Sequence, residues 1–207
     1  MRRFLTLILA SFLVNSICYE SRLLGQEKGV LSDERDGKAY ATVTYSIKSK
    51  DSTITVTWMA ENLNFQMPES VCFDNDPKNC VNSGRLYTWK GAMQACPVGW
   101  SLPSDNDWYQ LVELFGGINQ AGRHLKAKKK VWPEGKGTNK AIFNGLPTGS
   151  ADSNGFYNSN AGFFWSSTIG TVAESEASDW SFVAWSKAMR HWQGGLGIGN
   201  AVRCVKN

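Results

Sequence analysis

Histidine is almost missing from this chain of 207 residues, with two residues, and cysteine and proline are sparse, with five and six. His124 and His191 are therefore the whole supply of imidazole, and neither stands in a GxSxG, HExxH or phosphate-loop string, so no catalytic residue is assigned. No two cysteines have the CxxC spacing of a zinc site and neither histidine is close to a cysteine pair, so no metal ligand or cofactor is assigned either. A dominant charge is lacking too: 22 Lys and Arg against 18 Asp and Glu leave +4. Loss of Arg2 and Arg3 with a leader segment would lower this to about +2, too little to argue for nucleic acid. After Val14 there is no apolar run of the roughly 20 residues that a membrane-spanning helix requires. Twenty Gly and six Pro beside nine Trp exclude a coiled coil, a helical solenoid and a collagenous rod.

What is present is a globular composition, 42% hydrophobic and 19% charged. Met1, Arg2 and Arg3 precede an apolar run from Phe4 to Val14, the shape of a signal peptide, expected over residues 1–18 with cleavage near Ser16 to Cys18. Cys18 could instead be a lipidated N-terminal cysteine, although Ile17 is bulkier than such processing prefers. Export places the other four cysteines, Cys72, Cys80, Cys96 and Cys204, where disulfides persist. Four cysteines permit three pairings. A local Cys72–Cys80 bridge around FDNDPKN and a long Cys96–Cys204 bridge is the most economical of them, the long closure being worth about 4–5 kcal/mol in a loop-entropy picture.

Residues 19–36 are polar and without period, and read as a linker to a domain spanning 37–207. Alternation over Ala39 to Ile47, with Val43, Tyr45 and Ile47 on one side, predicts a strand, and Ile54, Val56 and Trp58 predict its hairpin partner. Trp89, Ala92, Met93 and Cys96 form one helical stripe that Pro97 should stop. Ser104 is set as the N-cap of a second helix, with Asp107 three residues on and Trp108, Leu111, Val112 and Phe115 as its stripe. From Gly117 to about Thr168 the chain is expected to be mostly irregular, and a long ordered loop of this kind is a leading place for a binding surface. Strand signals return in SDWSFVAW and AVRCV, with Gly194, Gly195, Gly197 and Gly199 between them for turns. The expected class is α+β: an N-terminal β-hairpin, two helices, a long irregular region and C-terminal strands, stapled by disulfides.

The strings DERDGKAYATV, WMAENLNF, VCFDNDPKNC, GRLYTWKGAM, ACPVGWSLPSDNDW, FWSST and VRCVK, in that order, resemble the Fibrobacter succinogenes major paralogous domain over Asp33 to Lys206. The resemblance implies an exported bacterial protein, often a lipoprotein or part of a larger surface protein, without an established biochemical role. A more distant likeness to the C-type-lectin-like fold, including formylglycine-generating relatives, implies the architecture only. The EPN, QPD and WND strings of calcium-dependent lectins are missing, and Cys204 is the only cysteine after Cys96, so neither activity carries over.

Among residues that could carry a function, Trp132, Trp185 and Trp192 lie beside polar or Gly-rich neighbours and are the freest candidates for stacking on a sugar ring, whereas Trp58, Trp89, Trp100 and Trp108 read as core. Asp74, Asn75, Asp76 and Asn79 offer fewer oxygens than calcium requires and read as a polar turn. The basic run Arg123, His124, Lys126, Lys128, Lys129 and Lys130 reads as a solvated face, and Glu61 as a carboxylate that bonds loop backbone or an arginine such as Arg85. The expected function is non-enzymatic recognition or adhesion at the bacterial surface, toward an extracellular glycan or an envelope protein. The alternative is a structural or assembly subunit of the envelope.

Overall fold

A computed structural model describes residues 22–48, 51–128, 131–132, 137–157, 159–171 and 173–206. The leader expected over 1–18, with Cys18, lies outside the described residues. The first three strands, β1 (Arg22–Ser32), β2 (Ala39–Lys48) and β3 (Thr53–Met59), form an antiparallel meander. A short strand β4 (Ser70–Val71), a 3₁₀ turn at Phe73–Asn75 and helix α1 (Pro77–Ser83) follow. Next come β5 (Leu86–Tyr87), α2 (Trp89–Ala95), α3 (Asp105–Leu114) and α4 (Ala121–Leu125). The second half contributes β6 (Ser150–Asp152), β7 (Gly155–Tyr157), β8 (Ala161–Ile169), β9 (Glu176–Val183), β10 (Arg190–Gly195), β11 (Asn200–Ala201) and β12 (Val205–Lys206). One sheet has the order β1-β2-β3-β12, a second β10-β9-β8-β11-β5-β4, and β6-β7 is a separate hairpin. The class is α+β, strand-rich, with two disulfides.

The helix signals act locally as their chemistry requires. Ser104 and Asp107 form a reciprocal capping box at the start of α3, and Trp108, Leu111 and Val112 are buried on its inner face. Trp108 bridges the two large sheets, lying 4.9 Å from Trp58 of β3 and stacking at 6.1 Å on Trp180 of β9. Thr88 caps α2, which ends at Ala95 before Pro97. Its buried side is Gly91, Ala92 and Ala95, while Met93 is exposed, so the expected stripe is rotated by one position. In β2 the buried side changes along the strand: Tyr40 and Thr42 face one core, Val43, Tyr45 and Ile47 the other.

Both disulfides have the economical pairing. Cys72–Cys80 closes the turn leading into α1, and Cys96–Cys204 joins the end of α2 to the residue before β12 across 108 positions. Because β12 pairs with β3, the bridge and the ladder together hold the C-terminal strand to the N-terminal meander.

Three expectations are corrected. Residues 22–32 are not linker: they form β1, paired with β2 over its whole length. As a mostly exposed edge strand in which only Leu23 and Leu31 pack against the cores, β1 shows no periodic signal. The region 117–168, expected to be mostly irregular, contains among its described residues α4, the β6–β7 hairpin and most of β8, an interior strand of the six-stranded sheet. Its two faces are both largely buried, which erases alternation. Gly194 and Gly195 belong to β10 rather than to a turn.

Candidate functional site

The six-stranded sheet ends in β8, β9 and β10, whose antiparallel register sets alternate side chains in rows across one face. One row is Arg190–Ser181–Phe163, and the next is Trp192–Asp179–Trp165. The other face of the same strands carries Trp180 and Phe182 into the core. Over the first face opens a groove of about 490 Å³, floored by Phe163, Ser181 and Val183, walled by Arg190, Trp185 and Trp192, and closed at one end by Ser159 and Asn160. Trp185 is 54% and Trp192 61% exposed. Two indoles of a core-forming residue type thus stand in solvent on one groove, although burying either would ordinarily stabilise the fold.

The third tryptophan candidate is corrected. Trp132 is 1% exposed, donates from Nε1 to the Gly145 carbonyl at 3.0 Å and packs edge-on against Phe182 at 5.4 Å. With Leu125, Ala141 and Phe143 it belongs to the hydrophobic core. The basic run is corrected as well. Lys126 is fully buried, and its Nζ donates to the carbonyls of Val183 at 2.9 Å and Ser186 at 2.6 Å, while Arg123 and Lys128 are exposed. Lys129 and Lys130 lie outside the described residues.

Asp179 is the unusual group beside the groove. It is 7% exposed and has no hydrogen-bonding partner among the described residues; burial, with the Asp105 charge adding to it, raises its carboxyl to about 7. Gly194 opposite Ala177 leaves room above it, since a Cβ at Gly194 would come within 3.1 Å of Asp179 Oδ2. Sequence reasoning did not single out Asp179, Arg190, Ser181 or Phe163. The signal for Asp179 and Ser181 was the alternation in SDWSFVAW, where both fall on the face opposite Trp180 and Phe182.

On the opposite face, His191 lies between Tyr109 of α3 and Trp180, stacking on the latter at 4.7 Å. Its Nε2 lies 3.0 Å from Asp105 Oδ2 and its Nδ1 3.1 Å from the Tyr109 hydroxyl. A carboxylate only accepts, so Nε2 carries the proton and in the neutral ring Nδ1 accepts from Tyr109. Asp105 Oδ1 also accepts from Trp180 Nε1 at 2.9 Å, so both carboxylate oxygens are engaged in joining the start of α3 to β9 and β10. The arrangement is a clamp between helix and sheet.

The remaining polar candidates are engaged with backbone. Glu61 Oε2 accepts from the Ala41 amide at 2.8 Å, the backbone role expected of it. Arg85 bonds Ser70 Oγ at 2.9 Å and lies against the Cys72–Cys80 sulfurs. Asp76 caps α1 through the Lys78 amide, and Asn79 donates to the Phe73 carbonyl. Among the described residues no group of three or more His, Cys, Asp or Glu is arranged to hold a metal ion.

The molecule is thus an α+β, disulfide-stapled domain with an aromatic groove on an exposed sheet face. The family model described as the Fibrobacter succinogenes major domain matches residues 52–206, and the chain belongs to that family. No curated protein and no solved structure matches the chain. Two disulfides are consistent with an extracellular protein, and no helix among the described residues is long and apolar enough to cross a membrane.

Proposed function

We propose that the protein is an exported, non-enzymatic recognition module of C-type-lectin-like architecture, and that the groove over β8, β9 and β10 binds a glycan at the bacterial surface. The reading rests on one observation: Trp185 and Trp192, both more than half exposed, share a groove with the hydroxyls of Ser159 and Ser181 and the amide of Asn160. An indole face matches the C–H face of a pyranose, and surrounding hydroxyl and amide groups supply the directional bonds that orient the ring. The architecture is supported by the late Cys204 bridged to the helix end at Cys96 and by the pairing of the C-terminal strand β12 with β3. Export is supported by the leader-like N-terminus and the two bridges.

The test is polysaccharide pull-down and glycan-array binding by the purified protein and by Trp185→Ala and Trp192→Ala. Binding by the parent that falls tenfold or more in each variant, with unchanged circular dichroism, is the expected result. Uniform absence of binding by a folded protein contradicts it. The assembly reading has one observation of its own: β1 is a long edge strand with Leu24 and Val30 exposed, a surface that can pair with another chain. Cross-linking in the native envelope would then trap a partner through residues 22–32.

A further inference from the structure

We infer that the groove selects an acidic saccharide, a polymer of uronate residues, with Arg190 as the group that reads the carboxylate and Trp192 as the platform beneath the ring. The inference rests on the glycan reading above and narrows its ligand class.

Among the described residues, Arg190 is the only charged side chain that lines the groove. It is exposed, and no described acid pairs with it. Its planar fork presents two parallel N–H donors matched to a carboxylate, a geometry that a hydroxyl cannot satisfy as fully. Arg190 and Trp192 lie two positions apart on β10 and so project from the same face, roughly 7 Å apart along the strand. That separation fits a pyranose resting on the indole with its exocyclic carboxylate extended to the guanidinium. On the facing strand the register partner of Arg190 is Ser181, a buried residue at the floor of the groove. Trp185 provides a second apolar wall to the groove, as a polymer with more than one ring in contact would need.

An exposed ion pair alone is worth little, so charge would not by itself distinguish this groove from any surface arginine. The selectivity comes from holding the pair beside two indoles, where the stacked ring displaces water from the guanidinium and fixes the carboxylate's approach. The chain's net charge of +4 is too small to attract polyanions generally, which makes the groove's own charge the one that discriminates.

The experiment titrates the purified protein at physiological salt with polygalacturonate, with its neutral methyl ester and with poly-glutamate, and repeats each titration with Arg190→Gln and Trp192→Ala. Expected are tenfold or stronger binding of polygalacturonate over the ester, loss of that preference in Arg190→Gln, and loss of both ligands in Trp192→Ala. Equal binding of acid and ester, with Arg190→Gln unchanged and Trp192→Ala weakened, overturns the uronate assignment while leaving a neutral-glycan groove standing. Poly-glutamate binding as tightly as polygalacturonate overturns it in favour of an acidic peptide. No binding of any polymer by the folded protein removes both the assignment and the groove reading.

Discussion

At the scale of the residue, the groups that define this molecule are those buried against their chemistry. Arg203 is fully enclosed; its Nε donates to Asn62, Nη1 to the carbonyls of Met59 and Phe143, and Nη2 to that of Asn144, while the guanidinium lies 4.4 Å from the Phe143 ring centroid. Burial lowers its pKa to about 9, yet it stays cationic at neutral pH because backbone oxygens replace its water. Asp179 has no such compensation. Its folded pKa of about 7 lies above the ordinary value of 3.8, so between those values the folded chain holds a proton that the unfolded chain has lost. Stability therefore falls as pH rises from about 4 to about 7. Asp179→Asn should abolish that slope and be more stable than the parent at pH 8 by roughly 1–4 kcal/mol, because the amide carries no charge to be desolvated. Urea unfolding of both proteins at pH 5 and pH 8 checks this; a parent that is more stable at pH 8 contradicts it.

At the scale of the element, the three tryptophan candidates separate by what their segments do. Trp132 is buried in the core, whereas Trp185 stands on the turn after β9 and Trp192 on β10 at the sheet edge. Trp132→Ala should cost about 3–5 kcal/mol of folding stability, as large core truncations do, and Trp192→Ala should stay within about 0.5 kcal/mol. Denaturant midpoints measure both, and a Trp192→Ala variant as damaged as Trp132→Ala would place that indole in the core. Elements with one buried face were legible in the sequence: α3 through Ser104, Asp107 and its stripe, and β2 through Val43, Tyr45 and Ile47. β8, with both faces largely buried, and the mostly exposed edge strand β1 lacked alternation and were expected to be loop and linker, whereas β9, also buried on both faces, was legible because Asp179 and Ser181 alternate with Trp180 and Phe182. β10 was hidden by Gly194 and Gly195, and with it the position of Arg190, because a glycine reads as a turn unless a neighbour needs the space its missing side chain leaves.

At the scale of the whole molecule, two sheets and a helix between them are fastened by a bridge spanning 108 positions and by the β3–β12 ladder. The cysteine pairing was readable from number and spacing, since joining Cys72 to Cys80, the nearest two in sequence, leaves Cys96 and Cys204 for one long closure. The groove was half readable: two of its indoles were named, but their convergence depends on a register between β9 and β10 that residue order alone does not specify. The central claim is the proposal that the two outward tryptophans, Trp185 on the turn after β9 and Trp192 on β10, form a contact surface for a glycan. Its most direct measurement uses the nine indole N–H signals as reporters during titration with a bound polysaccharide. The account predicts that the resonances of Trp185 and Trp192 shift while those of the buried Trp58, Trp108, Trp132, Trp165 and Trp180 hold still. Shifts confined to other indoles, with Trp185 and Trp192 unmoved, would contradict it.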